Sequence, residues 1–178
     1  AYEMQRSRVG SEMCIRDRAN SPQERREFLK AAKELLQHRS GQNGEDLYLY
    51  NRDRQTWVKS VTGDKPGTPE YTVEIFNAIK KAKEKGEQVV AFHNHPGSMP
   101  PSAADINAAL QNGYSAGYVL CHDGTIYKYS APKTKIIDAI YNKRVDSFKK
   151  TGYNEGDAQR KALEYLSELY DFSFREVK

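Results

Sequence analysis

The amino-acid sequence predicts an α/β fold, a mixed sheet with helices on both sides and a helical C-terminal tail. Three observations predict it. Stretches with helical and strand periods follow one another from about residue 21 onward, the pattern of layered α/β domains. Gln88 to Phe92 (QVVAF) is a short unbroken apolar run, as expected of a strand buried on both faces. A length of 178 residues with 38% hydrophobic residues suits one ordinary domain with an appendage.

Each element has its own warrant. Residues 1–18 mix Arg6, Arg8, Arg16 and Arg18 with Glu3, Glu12 and Asp17 and show no helical or strand period; RSRVGSEMCIRDR resembles translated adapter sequence. This segment, Cys14 included, reads as foreign and disordered. Ser21-Pro22-Gln23-Glu24 is a capping box with proline at the first helical position, and Phe28, Ala32, Leu35 and Leu36 recur at helical spacing until Ser40-Gly41. Glu45 to Tyr50 (EDLYLY) and Thr56 to Thr62 (TWVKSVT) alternate as strands around a polar turn. A loop, 63–67, precedes a helix that Thr68-Pro69-Glu70 opens, with Val73, Phe76, Ile79 and Ala82 inward and Lys80, Lys81, Lys83 and Lys85 outward, ending at Gly86. After the apolar strand comes a helix over about Ser102 to Gln111. Tyr118 to Cys121 and Thr125 to Tyr129 form a hairpin around Asp123-Gly124. The tail is helical over about Lys133 to Phe148 and Asp157 to Tyr170, with a final strand at Phe172 to Phe174. In domain terms this gives a segment at 1–18, a main α/β domain at 19–131 and a helical extension packed on it at 132–178.

Composition excludes several classes of function. Mean hydropathy is −0.85, and no apolar run approaches the ~18 residues of a membrane helix. No secretory pattern of basic residues followed by an apolar stretch is present, so a cytoplasmic protein is expected. Lys plus Arg exceed Asp plus Glu by only 28 to 24 and are scattered, a poor footprint for nucleic acid. Two cysteines cannot build a disulfide framework or a thiolate zinc site.

Chemistry concentrates between His93 and Asp105, in HNHPGSMPPSAAD. Histidines at i and i+2 of an extended segment send both rings to one side. Asp105, one turn into the next helix, can turn back toward them. Two nitrogens and one oxygen suit zinc and leave a fourth tetrahedral position for water, the arrangement of catalytic sites. Ser102 and Asp105 also fit a helix N-cap and its N3 partner. The letters HNH do not indicate the nucleases of that name, whose residues are dispersed over a ββα unit. His38 suits the helix dipole, His122 a hairpin surface, and Cys121 a buried small side chain.

The string HNHPGSMPPSAAD resembles the signature of the JAB/MPN+ zinc metalloproteases, the JAMM proteins, and is nearest to their RadC-like branch. CHDGTIYKY and the helical tail are also similar to JAB-like domains at the C-terminal end of phage head-morphogenesis, or minor capsid, proteins. The resemblance implies a JAB/MPN-type fold and hydrolysis of a peptide or isopeptide bond by metal-activated water. It makes His93, His95 and Asp105 the zinc ligands, gives Ser102 a place at the tetrahedral intermediate or catalytic water, and requires an upstream glutamate as general base. The loop Pro96 to Pro101 is one residue shorter than the family pattern. Glu45 opens the first strand 48 residues before His93, close to the family spacing, and is the favoured base; Glu74, Glu84 and Glu87 are the alternatives. The implied partner is a protein or peptide substrate, ubiquitin-like proteins among the candidates. Two other readings compete: a non-catalytic JAB-like interaction module of a phage head, and a RadC-like DNA-associated protein.

Overall fold

Alternating apolar residues pair into a six-stranded mixed sheet in the computed structural model, which describes residues 20–61 and 65–177. The expectations for residues 1–18 lie outside the described residues. In chain order the elements are α1 (Pro22–His38), β1 (Leu47–Asn51), β2 (Thr56–Ser60), α2 (Val73–Lys85), β3 (Val89–His95), α3 (Ala103–Asn112), β4 (Tyr114–Cys121), β5 (Ile126–Tyr129), α4 (Asp138–Lys150), α5 (Glu155–Tyr170) and β6 (Phe174–Val177). Strand order is β2-β1-β3-β4-β5-β6. The β3–β4 pair is parallel and crosses over through α3; the other neighbours are antiparallel.

The two-residue period divides the sheet into two cores. On one face Tyr48, Tyr50, Val90, Phe92, Tyr118 and Leu120 pack against Phe28, Ala31, Ala32 and Leu35 of α1. Ser21 caps that helix, accepting from the Glu24 N–H at 3.1 Å. On the other face Leu47, Leu49, Val89, Ala91, Val119, Cys121 and Tyr129 pack against α2, α3, α4 and α5. Helices therefore cover both faces, as expected. The tail belongs to this arrangement: Ala162, Leu163 and Leu166 of α5 enter the second core, and β6 adds to β5 by backbone pairing.

Helix starts depart from expectation where tertiary contacts hold the chain extended. Tyr71 is anchored by the Tyr114 hydroxyl at 3.3 Å, so α2 begins only after Thr72, whose hydroxyl caps it. Its inward face is then Ile75, Ile79 and Ala82, while Val73 and Phe76 are 70% and 57% exposed. The first tail helix starts at Asp138, because the N–H groups of Lys133 and Ile136 are taken by the Tyr170 carbonyl and Asn107 Oδ1. The second starts earlier than expected, at Glu155, capped by Asn154 accepting from Asp157 at 2.9 Å. The final strand begins at Phe174, since Ser130 pairs with Ser173 ahead of it. Among the described residues, no helix is long and apolar enough to cross a membrane.

Candidate metal centre

The apolar run at 88–92 continues as a strand through His95, so β3 itself delivers both histidines. Alternation places His93 and His95 on the face covered by α2 to α5, and Phe92 and Asn94 on the face of α1. Their Nε2 atoms lie 3.1 Å apart. The chain then turns at Ser98, whose φ is +53°, and the Met99 carbonyl accepts from His95 Nδ1 at 2.8 Å. That bond places the proton of neutral His95 on Nδ1 and leaves the Nε2 lone pair free for a ligand.

Asp105 serves the helix and the site with one carboxylate. Ser102 and Asp105 form a complete capping box on α3, with the Ser102 N–H and hydroxyl donating to Asp105 Oδ2 at 2.6 and 2.7 Å. The same carboxylate presents Oδ1 to His93 Nε2 at 3.4 Å and Oδ2 to His95 Nε2 at 3.6 Å. Cap and ligand geometry coincide, because the cap is what aims the carboxylate.

These three side chains can hold a metal ion. The two histidine nitrogens stand 3.1 Å apart, and each faces a different oxygen of the Asp105 carboxylate, at 3.4 and 3.6 Å, close to the roughly 3.3–3.5 Å between neighbouring ligand atoms of a tetrahedral zinc site. Charges of opposite sign meet in this cluster. Burial alone would depress His93, yet the carboxylates of Asp105 and Glu45 hold it above its ordinary value. Burial and the neighbouring His93 hold His95 below its own. Asp105 is pulled well below the usual carboxylate range by His93, His95 and the Ser102 N–H, against the cost of burial. A metal bound there would compete with protons for the histidine nitrogens.

Glu45 lies two residues before Leu47, on the same face, and borders an open cleft of about 370 Å³ together with His95, Ser102 and Asp105. Although it faces the cleft, it is only 4% exposed. Burial raises its carboxyl to about 7, Asp105 adding to the rise and His93 opposing it. Pro66 and Gly67 form one wall and Gln159 of α5 another. The alternative glutamates are elsewhere. Glu87 lies just ahead of β3, held by Asn51 at 2.7 Å and Arg54 at 2.8 Å, roughly 20 Å of strand from His93. Glu74 and Glu84 are exposed on α2.

Several residues carry more than the sequence suggested. His38 is bound to Asp46 Oδ2 at 2.6 Å, where an interaction with the helix dipole alone was expected, and Arg39 reaches Oδ1 at 2.7 Å. His122 stands outside the ligand cluster, 3.3 Å from the Asn94 amide. Asn94 is fully buried. Its signal was available in the sequence: a polar amide on the inward face of a buried strand must find partners. Gln159 on the cleft wall had no such signal, because only the docking of α5 brings it there.

No protein-family model and no curated protein matches this chain.

Proposed function

We propose that the protein is a zinc-dependent hydrolase of the JAMM type, cleaving a peptide or isopeptide bond by direct attack of water with Glu45 as general base. The observation that carries this reading is the pairing of an open three-ligand cluster with a buried glutamate of pKa about 7 in the same cleft. Three protein ligands are the number that catalytic zinc sites use. The peptide class rests on the resemblance of HNHPGSMPPSAAD to the family signature.

A bound zinc ion would supply Lewis acidity, lowering the pKa of a water toward ~7 and polarising the scissile carbonyl. Within the chain, His93, His95 and Asp105 would hold that ion. Glu45 takes the proton of the attacking water and passes it to the leaving amine, base and then acid in one cycle. A carboxyl near 7 is suited to both halves, since it is neither fully ionised nor fully protonated at neutral pH. Ser102 has its hydroxyl proton on Asp105 Oδ2, so its first contribution is to orient that carboxylate. Stabilising an oxyanion would require the hydroxyl to leave that bond.

Metal analysis of the purified protein beside a peptide-library cleavage assay tests this. Stoichiometric zinc is expected, with hydrolysis that falls by about 10²–10⁴-fold in Glu45→Gln at unchanged zinc content. Full zinc with no cleavage of any peptide or isopeptide library would instead favour the interaction module.

A further inference from the structure

We propose that Asn94 is the positioning residue for Glu45, an inference that rests on reading Glu45 as the general base. Asn94 lies between the two histidines, so strand alternation turns it to the opposite face, where it is 0% exposed. Its Oδ1 accepts from the Asp46 N–H at 2.8 Å, and its Nδ2 donates to the Gly44 carbonyl at 3.1 Å. These two partners are backbone groups of fixed polarity, so they determine which way the amide points, and Nδ2 also lies 3.3 Å from His122 Nε2. These two bonds grip the chain on either side of Glu45.

The register explains why a side chain is needed there. Backbone pairing between β1 and β3 reaches Leu47 opposite His93, the first residue of β1. Beyond that point Asn94 carries the pairing on with its carboxamide. Asp46 is anchored on the same side, through Arg39 and His38. Adjacent acids are thereby sent to opposite faces, Asp46 toward α1 and Glu45 toward the metal cluster. A glutamate at a chain segment outside regular strand would otherwise turn to water, the cheaper place for its charge. Asn94 does not line the cleft, so it acts through Glu45 and not on substrate.

The test is a double-mutant cycle of Asn94→Ala with Glu45→Gln in zinc-loaded protein, with amide hydrogen exchange beside the kinetics. Asn94→Ala should keep its zinc and lose kcat by about 10- to 100-fold with KM within about threefold, as for a displaced catalytic group. Exchange of the Asp46 amide should rise by about fivefold or more while that of Leu49 stays unchanged. In the Glu45→Gln background the same substitution should cost less than about threefold. Multiplicative losses, an unchanged Asp46 amide, or a kinetic loss that merely follows zinc loss would each overturn the proposal. Should Asn94→Ala fail to fold, Asn94→Asp, which loses the donor to the Gly44 carbonyl but still accepts from the Asp46 N–H, is read in the same cycle by its kinetics and zinc content alone. Hydrolysis that survives Glu45→Gln, or is missing from the wild type, overturns the underlying reading too, and is seen without any change at Asn94.

Discussion

Glu45→Gln should make the metal-free protein less sensitive to alkaline pH. Burial raises the Glu45 carboxyl from its ordinary 4.5 to about 7, so the folded chain binds this proton more tightly than the unfolded chain. The resulting stability is fully present below pH 4.5 and is lost as pH rises to about 7 and beyond. Each tenfold change in proton affinity is worth about 1.4 kcal/mol, which sets a ceiling of about 2.5 kcal/mol between pH 5 and pH 8.5. Glu45 borders the open cleft, and residual solvation there brings the expectation down to about 1–2 kcal/mol. Glutamine keeps the size and cannot ionise. Urea unfolding of chelator-treated wild type and variant, followed through the single tryptophan, Trp57, measures the effect. The free-energy difference between variant and wild type should grow in favour of the variant by that amount from pH 5 to pH 8.5. A difference that does not change with pH would refute the burial of an ionisable Glu45 beside Asp105.

Other outcomes follow from the same geometry. Replacing His93 or His95 by Ala should lower bound zinc from one per chain to less than about a tenth by elemental analysis, since two remaining ligands hold zinc poorly; full occupancy would remove the basis of the site. Zinc affinity of the wild type should fall as pH falls below neutrality, on the order of tenfold per unit for each proton displaced, because the carboxylates of Asp105 and Glu45 raise the proton affinity of His93 and a metal competes with that proton; calorimetry in buffers of different ionisation enthalpy counts those protons, and a pH-independent affinity would contradict it. Glu87→Gln should leave hydrolysis within about twofold of wild type, because Asn51 and Arg54 hold Glu87 away from the cluster; a loss equal to that of Glu45→Gln would show that the base was misassigned. Gly117→Ala should lower the melting temperature by roughly 2–12 °C, since a Cβ there would overlap the Tyr129 ring and hydroxyl; an unchanged melting curve would mean the ring is not packed over Gly117.

Local chemistry made much of this molecule legible in its sequence. The Ser21 and Ser102 caps depend on atoms three residues apart; the structure contains the full box at Ser102 and the serine half at Ser21, where the Glu24 carboxylate turns to Asn20 and Arg52 instead. The two-residue period likewise put Leu47 and Leu49 on one face, and His93 and His95 on one side of their strand. The spacing of the resembled family alone favoured Glu45, and nothing local distinguished its environment from that of Glu87. Only the sheet decided that, by pairing β1 with β3 so that the start of β1 meets the histidine end of β3. The same distinction explains the misplaced helix starts. Val73, Phe76 and Ile79 have a helical period as good as that of Ile75, Ile79 and Ala82, and a period cannot say which face meets a core. Tyr71, drawn in by Tyr114, settled the choice. Residues within one turn or one strand specify their own geometry, whereas burial, the pKa of Glu45 and the grip of Asn94 arise between segments some fifty residues apart, and exist only once the sheet has formed.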